Sequence, residues 1–206
     1  MFTGIIRGMH SVHEVNPTPG GLRFSLNLDD VSSLGLQQGA SIAIDGVCLT
    51  VVDFTKKLVW FDVIRETLTR TTLKFLQNEA LVNVERSAKI GDEIGGHLLS
   101  GHIFGTATIH SIDRSNNNHV VSLKCPSAWT KYLLPKGYVA LNGASLTIVD
   151  VDQSEGVFTV HLIPETLQRT TFGIKKAGDL VNVELDSQTQ AIVDTIERIY
   201  ASKSTS

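Results

Sequence analysis

Cys48 and Ser145 hold equivalent places in two matching stretches of the sequence and carry different reactive groups. Cys48 lies in residues 45–50 (DGVCLT), and Ser145 lies 97 residues later, in residues 142–147 (NGASLT). A lone cysteine at the start of a strand is most often a small buried hydrophobe. A serine at the matching position favours a reactive or hydrogen-bonding role, because an apolar site requires neither group. A thiol attacks only with a lowered pKa or a neighbouring base, and that base must come from elsewhere in the fold.

Two histidines, His97 and His102, are the candidate bases. Their H-x4-H spacing is within the range of histidine zinc ligands carried on a helix, but Gly95, Gly96 and Gly101 argue against a helix there. No further pair of cysteine or histidine residues has ligand spacing. We therefore expect no metal, and we interpret the histidines as general acid/base groups or as hydrogen-bond partners of a ligand at a barrel mouth.

A second repeated motif places a glutamate at the end of a strand in each half of the chain. Residues 66–72 (ETLTRTT) return as residues 165–171 (ETLQRTT). Glu66 and Glu165 either satisfy backbone groups where the chain turns, or form one wall of a ligand pocket with the preceding strand. The repetition favours the pocket, because two similar barrels would then hold one kind of ligand.

Other charged residues of the repeats have simpler interpretations. Arg70 and Arg169 are expected to be structural and to pair with a carboxylate such as Glu85 or Glu184. Asp186 is typical of a helix cap, because it precedes a run of serine, threonine and glutamine. It also marks a position at which the two halves differ.

The matching stretches belong to a duplication that runs through most of the chain. Residues 4–8 (GIIRG) correspond to residues 101–105 (GHIFG), and residues 81–85 (LVNVE) return as residues 180–184. With the two motifs above, four blocks in the same order indicate a duplicated domain rather than a chance similarity. Short runs of β-branched and aromatic residues, separated by Gly, Asn and Asp, predict several strands in each half. We therefore predict an all-β fold with a small antiparallel barrel in each half.

Three segments depart from the strand pattern. Residues 187–201 have a one-sided apolar stripe, which predicts a helix after the second repeat. This helix is either a lid packed on its own barrel or an oligomerisation element, and the sequence leaves both interpretations open. Short helices are also expected in residues 126–134 and 31–34, before the turns at Gly137 and Gly39.

Composition limits the classes of function. The chain has 206 residues, of which 42% are hydrophobic and 6% aromatic, and its formal net charge is −3. A nucleic-acid module would need a basic, aromatic-rich face, and a nucleotide-binding enzyme would need a glycine-rich phosphate loop. No apolar run approaches the roughly 18 residues that cross a bilayer, and the first residues lack the features of a signal peptide. Two cysteines are too few for a disulfide framework, so we expect a cytoplasmic protein with reduced thiols.

Several blocks, taken together, resemble the riboflavin synthase family. The resemblance covers both repeats and the terminal helix, and the combination is highly specific. The blocks are residues 1–5 (MFTGI), the G-x-C-L-T motif at Cys48, residues 95–102 (GGHLLSGH), residues 143–147 (GASLT) and residues 162–167 (LIPETL). The second repeat is one residue shorter before its Asn-Gly turn, so Ser41 has no clear counterpart there.

The resemblance implies two tandem six-stranded antiparallel Greek-key β-barrels with a C-terminal α-helix. The expected divisions are residues 1–96 for the N-terminal lumazine-binding barrel, 97–186 for the C-terminal lumazine-binding barrel, and 187–206 for a trimerisation helix and tail. A homotrimer is expected, with the active site between the N-terminal barrel of one subunit and the C-terminal barrel of its neighbour. Association with lumazine synthase is left open.

The reaction that the resemblance implies is the last step of riboflavin biosynthesis. Two molecules of 6,7-dimethyl-8-ribityllumazine exchange a four-carbon unit and give riboflavin and 5-amino-6-(ribitylamino)uracil, without a cofactor. One lumazine is expected in each barrel. A duplicated pocket with Cys48 in one copy and Ser145 in the other suits this reaction, because two like molecules must take unlike roles.

The resemblance also assigns residues to the two sites. The expected catalytic residues are Cys48 and His102, with Ser145 and Asp186 assisting and Phe2 and Ser41 shaping the N-terminal pocket. The first site is expected to be lined by Gly4, Ile5, Ile6, Cys48, Leu49, Thr50, Asp62, Val63, Ile64, Arg65, Glu66 and Thr67. The second is expected to be lined by Gly101, His102, Ile103, Lys136, Ser145, Leu146, Thr147, His161, Leu162, Ile163, Pro164, Glu165 and Thr166. Whether Cys48 attacks or orients a water is not decided by the sequence.

A non-catalytic relative is the main alternative. Lumazine- and flavin-binding antenna proteins of bioluminescent bacteria resemble the chain along its whole length but differ at the reactive positions. The chain retains the residues expected of the enzyme, namely Phe2, Ser41, Cys48, His102, Ser145 and Asp186. Their retention favours the enzyme over the binding protein.

Overall fold

Two closed β-barrels and a C-terminal helix make up the fold, as the sequence predicted. The computed structural model describes residues 1–29, 33–115 and 119–203. The first barrel consists of β1 (Gly8–Thr18), β2 (Gly21–Asn27), β3 (Ser41–Ile44), β4 (Val47–Phe54), β5 (Leu58–Ile64) and β6 (Leu81–Arg86). The second consists of β7 (Gly105–Asp113), β8 (Val120–Lys124), β9 (Tyr138–Leu141), β10 (Ala144–Asp152), β11 (Val157–His161) and β12 (Leu180–Leu185).

The strands follow one another around each barrel in the same order. In the first barrel this order is β1-β2-β5-β4-β3-β6, and every pair is antiparallel. In the second barrel the equivalent order is β7-β8-β11-β10-β9-β12. The pairing of β2 with β5 rather than with β3 is a Greek-key connection, which confirms the predicted topology.

Alternation of side chains explains why these segments form barrel walls. In β5, Val59, Phe61 and Val63 are buried, whereas Asp62 and Ile64 are exposed. Successive side chains of a strand point to opposite faces, so the apolar residues fill the barrel and the others face outward. β-Branched and aromatic residues suit such a half-buried pleated surface.

Helical segments are short except at the end of the chain. α1 (Arg65–Arg70) and α2 (Pro164–Arg169) follow β5 and β11, and each leads into a turn of 3₁₀-helix. α3 (Ser187–Lys203) forms where a terminal helix was predicted. The short helix predicted in the second repeat is a 3₁₀-helix at Ser127–Tyr132, and the one predicted in residues 31–34 lies partly outside the described residues. No helix in the described ranges is long and apolar enough to cross a membrane.

Each barrel has its own hydrophobic core, and each core contacts a residue from the other half of the sequence. Ile6, which precedes β1, belongs to the core of the second barrel. Ile103, which precedes β7, packs against the core of the first barrel. The segments that lead into β1 and β7 are therefore exchanged between the barrels.

The barrels meet at two hairpin turns of the same type. Asp45 and Gly46 join β3 to β4 with φ angles of 44° and 81°, and Asn142 and Gly143 join β9 to β10 with φ angles of 45° and 81°. Two successive residues with positive φ are typical of a type I′ turn, for which Asp-Gly and Asn-Gly are preferred. A Cβ atom on Gly46 would lie 2.7 Å from the backbone nitrogen of Gly143, so a larger residue would force the barrels apart.

Asparagine side chains from β6 and β12 join these turns across the interface. The amide of Asn83 donates to the backbone oxygen of Asn142, and the amide of Asn182 donates to the backbone oxygen of Asp45, both at 2.9 Å. The side-chain oxygen of Asn83 accepts from the Thr171 N–H in the 3₁₀ turn after α2, and that of Asn182 accepts from the Thr72 N–H in the 3₁₀ turn after α1, each at 2.8 Å. Both asparagines are fully buried. The reciprocal pairs give the interface an approximate twofold symmetry.

The approximate symmetry is broken at one pair of matching positions, where one side chain can carry a charge and the other cannot. Asp45 in the first turn corresponds to Asn142 in the second, and both side chains are buried. The Asp45 carboxylate accepts from the backbone N–H of Asn83 at 2.9 Å, as the Asn142 side-chain oxygen does from Asn182 at 2.7 Å. Burial raises the pKa of Asp45 to about 6, although the hydrogen bond from Asn83 and the charge of Lys175 oppose the rise.

Replacing Asp45 by Asn is expected to stabilise the protein at pH 7. A carboxyl whose pKa is higher in the folded chain than in the unfolded chain binds its proton more tightly when folded. The free energy of unfolding of the natural chain therefore falls as the pH rises from about 4 through about 6. The amide cannot ionise, so it should add up to about 3 kcal/mol at pH 7 and little below pH 4. Urea unfolding at both pH values measures the difference.

The reverse exchange provides the control for this prediction. Asn142→Asp should lower the free energy of unfolding at pH 7 and acquire the same pH dependence, because it places a second ionisable group in the matching buried turn. If Asp45→Asn and the natural chain unfold at the same urea concentration at pH 7, burial of Asp45 carries no electrostatic cost and the prediction is wrong.

Candidate functional site

Two segments, here named the first lead segment (residues 1–6) and the second lead segment (residues 97–103), cross each other between the barrels. Phe2 and Leu99 form an antiparallel bridge at the crossing. The Phe2 N–H donates to Leu99 at 2.8 Å, and the Leu99 N–H donates to Phe2 at 3.0 Å. Because these are equivalent residues of the two repeats, the crossing lies on the approximate twofold axis of the interface.

Beyond the crossing, each lead segment contacts the reactive residue of the other barrel. The backbone oxygen of Gly4 accepts from the Ser145 N–H, and that of Gly101 accepts from the Cys48 N–H, both at 2.9 Å. The sequence had allocated Gly4 to the site of Cys48 and Gly101 to the site of Ser145, whereas the structure brings Gly4 to Ser145 and Gly101 to Cys48. Which ligand each segment lines remains a prediction. Matching blocks look the same whether a segment stays on its own barrel or crosses to the other, so the sequence did not predict these contacts.

Buried glutamates hold the lead segments in place. Glu85 of β6 accepts hydrogen bonds from the backbone N–H and the hydroxyl of Thr3, both at 2.7 Å, and from the N–H of Gly4 at 3.0 Å. Glu184 of β12 accepts from the backbone N–H and the hydroxyl of Ser100, both at 2.7 Å. Burial raises the pKa of both carboxyls, and these hydrogen bonds oppose the rise.

The repeated arginines do not pair with these buried glutamates, contrary to the prediction. Arg70 binds Glu66 at 2.5 Å, and Arg169 binds Glu165 at 2.8 Å. Each pair is four residues apart in α1 or α2, a spacing that places two side chains on one face of a helix. All four side chains are exposed, so the pairs contribute little to stability but hold the glutamates at the surface.

At the first site, Cys48 is half-buried between the second lead segment and an aromatic ring. Phe2 is 1% exposed and belongs to the small apolar cluster against which Cys48 packs. A Cβ atom on Gly101 would lie 2.5 Å from the Cys48 Cβ and 3.0 Å from the Phe2 ring, so only glycine lets the chain pass in contact with both. Ser41 begins β3 opposite Thr50, two residues from Cys48 on β4.

His102 follows Gly101 and is exposed on a cavity of about 570 Å³. The cavity is lined by residues of α1, the second lead segment, the second barrel and α3, namely Arg70, His102, Ile103, Phe104, Trp129 and Gln190. An imidazole exposed on a cavity has the access to a ligand that a general acid or base requires.

At the second site, Ser145 has a histidine partner. Its hydroxyl oxygen lies 2.6 Å from Nδ1 of His97, a side chain that is 8% exposed. The imidazole stacks on Tyr138, with ring centroids 5.0 Å apart. Gly96 passes so close that a Cβ atom there would lie 2.9 Å from the Ser145 hydroxyl. Burial lowers the pKa of His97, and the charge of Asp186 opposes that shift.

Asp186 caps the terminal helix, which is the structural role that the sequence indicated. Its carboxylate accepts from the backbone N–H of Thr189 at 2.8 Å and from the Thr189 hydroxyl at 2.6 Å. Its charge also acts on His97. Asp186 therefore joins the helix cap to the second site.

The two candidate histidines belong to different sites. His97 contacts Ser145, whereas His102 follows the residue that binds the Cys48 N–H. Within residues 1–29, 33–115 and 119–203, no group of three or more side chains is arranged to hold a metal ion.

The residues beside the two reactive groups and at the ends of β5 and β11 have matching exposure. Leu49 and Leu146 are buried, whereas Thr50 and Thr147 are exposed next to the reactive side chains. The ends of β5 and β11 also match in exposure. Val63 and Leu162 are buried. The residues that follow them are exposed, as is His161 before Leu162: Ile64, Arg65 and Glu66 in the first barrel, and Ile163, Pro164 and Glu165 in the second. Thr67 and Thr166 are partly buried. Each barrel thus presents an apolar side chain and a carboxylate at the same edge.

Two of the expected lining residues face the outer surface. Asp62 accepts from Arg23 at 2.6 and 2.7 Å, and this hydrogen bonding holds the pKa of Asp62 below its usual value. Lys136 is exposed in the turn before β9 and has a φ angle of 69°. Their part in ligand binding remains a prediction.

Known proteins share both repeats of this chain. A model of the lumazine binding domain matches residues 3–87 and, a second time, residues 100–186. Riboflavin synthase of Escherichia coli (strain K12) is 47% identical over 204 residues, which cover 98% of this chain and 95% of that protein. The chain belongs to the riboflavin synthase family. Riboflavin synthase of Chlamydia pneumoniae is another member, 45% identical over 202 residues that cover 98% of each chain.

Solved structures share the two-barrel fold of this riboflavin synthase family member. LumP complexed with 6,7-dimethyl-8-(1'-D-ribityl) lumazine has a TM-score of 0.79 and 26% identity, covering 89% of this chain and 98% of that chain. LumP complexed with riboflavin has a TM-score of 0.83 and 24% identity, covering 91% of this chain and 100% of that chain. At that identity, the second likeness supports the fold alone.

The contact between His97 and Ser145 was not predicted. Spacing had grouped His97 with His102, and only the crossing of the lead segments separates them. The roles of Thr3 and Ser100 were also missed, although a hydroxyl residue before glycine at equivalent places in both repeats was a usable signal. Charge complementarity alone had suggested Glu85 and Glu184 as partners of the arginines, whereas these glutamates bind backbone N–H groups.

Replacing Gly101 by Ala is expected to disturb the first site. The new methyl group would overlap Cys48 and Phe2, and the φ angle of 79° is unfavourable for alanine. Gly39→Ala is the matched control, because Gly39 has a φ angle of 85° but open space around its Cα. Backbone strain costs both variants about 1 to 2 kcal/mol, and overpacking should cost Gly101→Ala a further 1 to 3 kcal/mol or so. Equal losses in urea unfolding would show that the lead segment is not tightly packed on Cys48.

Proposed function

We propose that the protein is a riboflavin synthase that converts two molecules of 6,7-dimethyl-8-ribityllumazine into riboflavin and 5-amino-6-(ribitylamino)uracil. It is a transferase, and the unit transferred has four carbons. The observation that carries the proposal is that two copies of the lumazine binding domain place unlike groups, Cys48 and Ser145, at equivalent positions. A dismutation has this requirement, because one lumazine gives up carbons that its twin accepts.

The reaction begins with two different events on two like molecules. One lumazine loses a proton from its acidic 7-methyl group, and the other is attacked by a nucleophile at a ring carbon. Holding both heterocycles face to face makes their bond formation effectively intramolecular, which accounts for a large part of the rate enhancement. Cys48 with Phe2 and His102 would serve one lumazine, and Ser145 would serve the other.

The ends of β5 and β11 would form the outer walls of the two lumazine sites. Ile64 and Ile163 offer apolar surface for a flat heterocycle, since they are 65% and 63% exposed. Glu66 and Glu165, held by their arginines, offer carboxylates that accept hydrogen bonds from the hydroxyls of a ribityl chain. Equivalent walls suit two copies of one ligand.

The terminal helix supports assembly into a homotrimer. One face of α3 binds its own barrel: Lys131 donates to Glu197 and Tyr132 donates to Asp194, both at 2.5 Å. The other face of α3 carries apolar side chains that are between 48% and 69% exposed, namely Ile192, Ile196, Ile199 and Tyr200. An exposed apolar stripe on a surface helix favours contact with another subunit. We propose that this contact brings the first barrel of one subunit to the second barrel of its neighbour.

Cellular location and a second partner are further proposals. We place the protein in the cytoplasm, where thiols stay reduced, because both cysteines are free. Burial raises the pKa of Cys125 to about 11, which makes that thiol inert.

Association with lumazine synthase is tested by sedimentation of the two proteins together.

Incubation with 6,7-dimethyl-8-ribityllumazine alone tests the function. Riboflavin and the pyrimidine should form in equal amounts without an added cofactor. Ser145→Ala and Cys48→Ser should each lower kcat by about tenfold or more, because each removes one reactive group. Cys125→Ala is the control and should keep kcat within about twofold, since Cys125 lies in the core of the second barrel. Tight lumazine binding without riboflavin would assign the protein to the non-catalytic chromophore binders.

Truncation after Asp186 tests the trimer. The shortened chain should fold, because α3 lies outside both barrels, and should bind lumazine but turn it over poorly as a monomer. Ile196→Asp in the full chain is the matched variant, because it charges the exposed stripe while leaving the contacts of α3 with its own barrel. Sedimentation velocity gives the assembly state and steady-state kinetics the turnover. A truncated protein that stays trimeric and fully active would exclude α3 as the trimer contact.

A further inference from the structure

The contact between His97 and Ser145 distinguishes the second site from the first. At the first site, Cys48 packs against an apolar cluster that contains Phe2, and its N–H binds the backbone of Gly101. At the second site, the Ser145 hydroxyl lies 2.6 Å from Nδ1 of a buried imidazole. The two reactive groups therefore differ in their surroundings as well as in their chemistry.

The imidazole of His97 is held so that one of its nitrogens has a partner and the other is buried. The ring is confined by its stacking on Tyr138, with centroids 5.0 Å and planes 17° apart. Nδ1 faces Ser145, whereas Nε2 has no hydrogen-bond partner in the part of the chain that the structure describes. Burial lowers the pKa of His97, so the ring is neutral near pH 7 and carries a single N–H.

A neutral imidazole has two tautomers, and they direct the Ser145 hydroxyl differently. With its hydrogen on Nε2, His97 would leave a buried N–H without an acceptor and would accept from Ser145 at Nδ1. With its hydrogen on Nδ1, the unpaired atom is a lone pair, and the ring donates to the Ser145 oxygen. Among backbone groups, buried N–H groups without a partner are rarer than under-satisfied buried acceptors, and we apply the same preference to the two ring nitrogens. The geometry therefore favours the hydrogen on Nδ1.

We propose that His97 is a positioning residue of the second site, whose Nδ1–H donates to the Ser145 oxygen and directs the Ser145 hydroxyl hydrogen at the lumazine bound in the second barrel. This proposal rests on the proposed function, which puts one lumazine in each barrel. A serine hydroxyl has one hydrogen, and once its oxygen accepts from His97 that hydrogen is available to the ligand. Because His97 already fixes the orientation of the Ser145 hydroxyl, ligand binding does not have to restrict its rotation.

The proposal distributes the two roles of the reaction between the barrels. A preorganised donor stabilises a ligand anion more than the neutral ligand. The second barrel therefore holds the lumazine that loses its 7-methyl proton to the solvent, and the Ser145 hydroxyl stabilises the anion that remains. The first barrel, with its thiol and apolar surroundings, holds the lumazine that is attacked.

The groups around His97 determine the pH dependence expected of this arrangement. Tyr138 of β9 stacks on the ring, Ser145 of β10 meets Nδ1, and the negative charge of Asp186, which follows β12, favours the imidazolium. An imidazolium keeps its Nδ1–H, so protonation of His97 leaves the hydrogen bond to Ser145 intact. Turnover should therefore not fall as His97 gains its proton, whereas it would fall if Nδ1 acted as a base toward Ser145.

Four variants test the positioning role, with kcat, KM and the absorbance of bound lumazine against pH as readouts. His97→Ala should lower kcat about 10- to 100-fold with KM changed less than about threefold, and should raise the pH at which bound lumazine ionises. His97→Asn should retain kcat within about fivefold, because an asparagine amide can donate from the position of Nδ1. His97→Gln is the matched control, because its longer amide does not. Ser145→Ala combined with His97→Ala should be no slower than Ser145→Ala alone.

Several outcomes would overturn the proposal. Additive losses in the double variant would mean that His97 does not act through Ser145. An unchanged ionisation of bound lumazine in His97→Ala, or equal activities of the Asn and Gln variants, would reduce His97 to a packing residue. If the natural chain binds lumazine without forming riboflavin, the proposed function fails, but the ionisation of bound lumazine still tests His97.

The tautomer itself can be read in the unmodified protein without a ligand. Nitrogen-15 NMR of histidine-labelled protein distinguishes a protonated Nδ1 from a protonated Nε2, and His97→Asn identifies the resonance. We expect the hydrogen on Nδ1 at pH 7. A hydrogen on Nε2 would make His97 an acceptor from Ser145 and would exclude the positioning role.

Discussion

The structure depends on the need to pair the polar groups that two hairpin turns bury between the barrels. The backbone oxygens of Asp45 and Asn142 lie where water cannot reach them, and the amides of Asn182 and Asn83 supply their hydrogen bonds. A buried carbonyl without a donor costs about 1 to 3 kcal/mol, so the orientation that forms both bonds is favoured over one that forms neither. That orientation then determines where the lead segments cross and which barrel each one reaches.

The two sites inherit their construction from this crossing. Each reactive side chain belongs to one repeat, while the backbone that touches it belongs to the other. Glu85 and Glu184 fasten the crossing by binding the N–H groups of the lead segments, a task for which a carboxylate with two acceptor oxygens is well suited. A symmetric scaffold therefore carries two unlike sites, since the exchange of a few side chains is enough to change the chemistry without changing the packing.

Local features of the fold could be predicted from the sequence, and relations between distant segments could not. The runs of β-branched and aromatic residues, and the Gly, Asn and Asp residues that separate them, are local, and they correctly predicted strands joined by short turns. The offset of the repeats correctly matched Cys48 with Ser145. The crossing of the lead segments left no local trace, because the matching segments would have the same sequences whether each stayed on its own barrel or crossed to the other. The separation of His97 from His102 followed from that crossing and was missed with it.

The reciprocal bonds of Asn83 and Asn182 also bear on the history of the chain. A surface that pairs with its own twin about a twofold axis is the surface of a symmetric dimer. Two single-barrel chains joined in this way would already have had crossed lead segments and two identical sites. Duplication of such a chain would keep the interface and free the two copies to diverge, and only after duplication could cysteine and serine, or aspartate and asparagine, come to occupy matching positions. The asymmetry on which a dismutation depends is thus the younger property, and the symmetry around it is the older one.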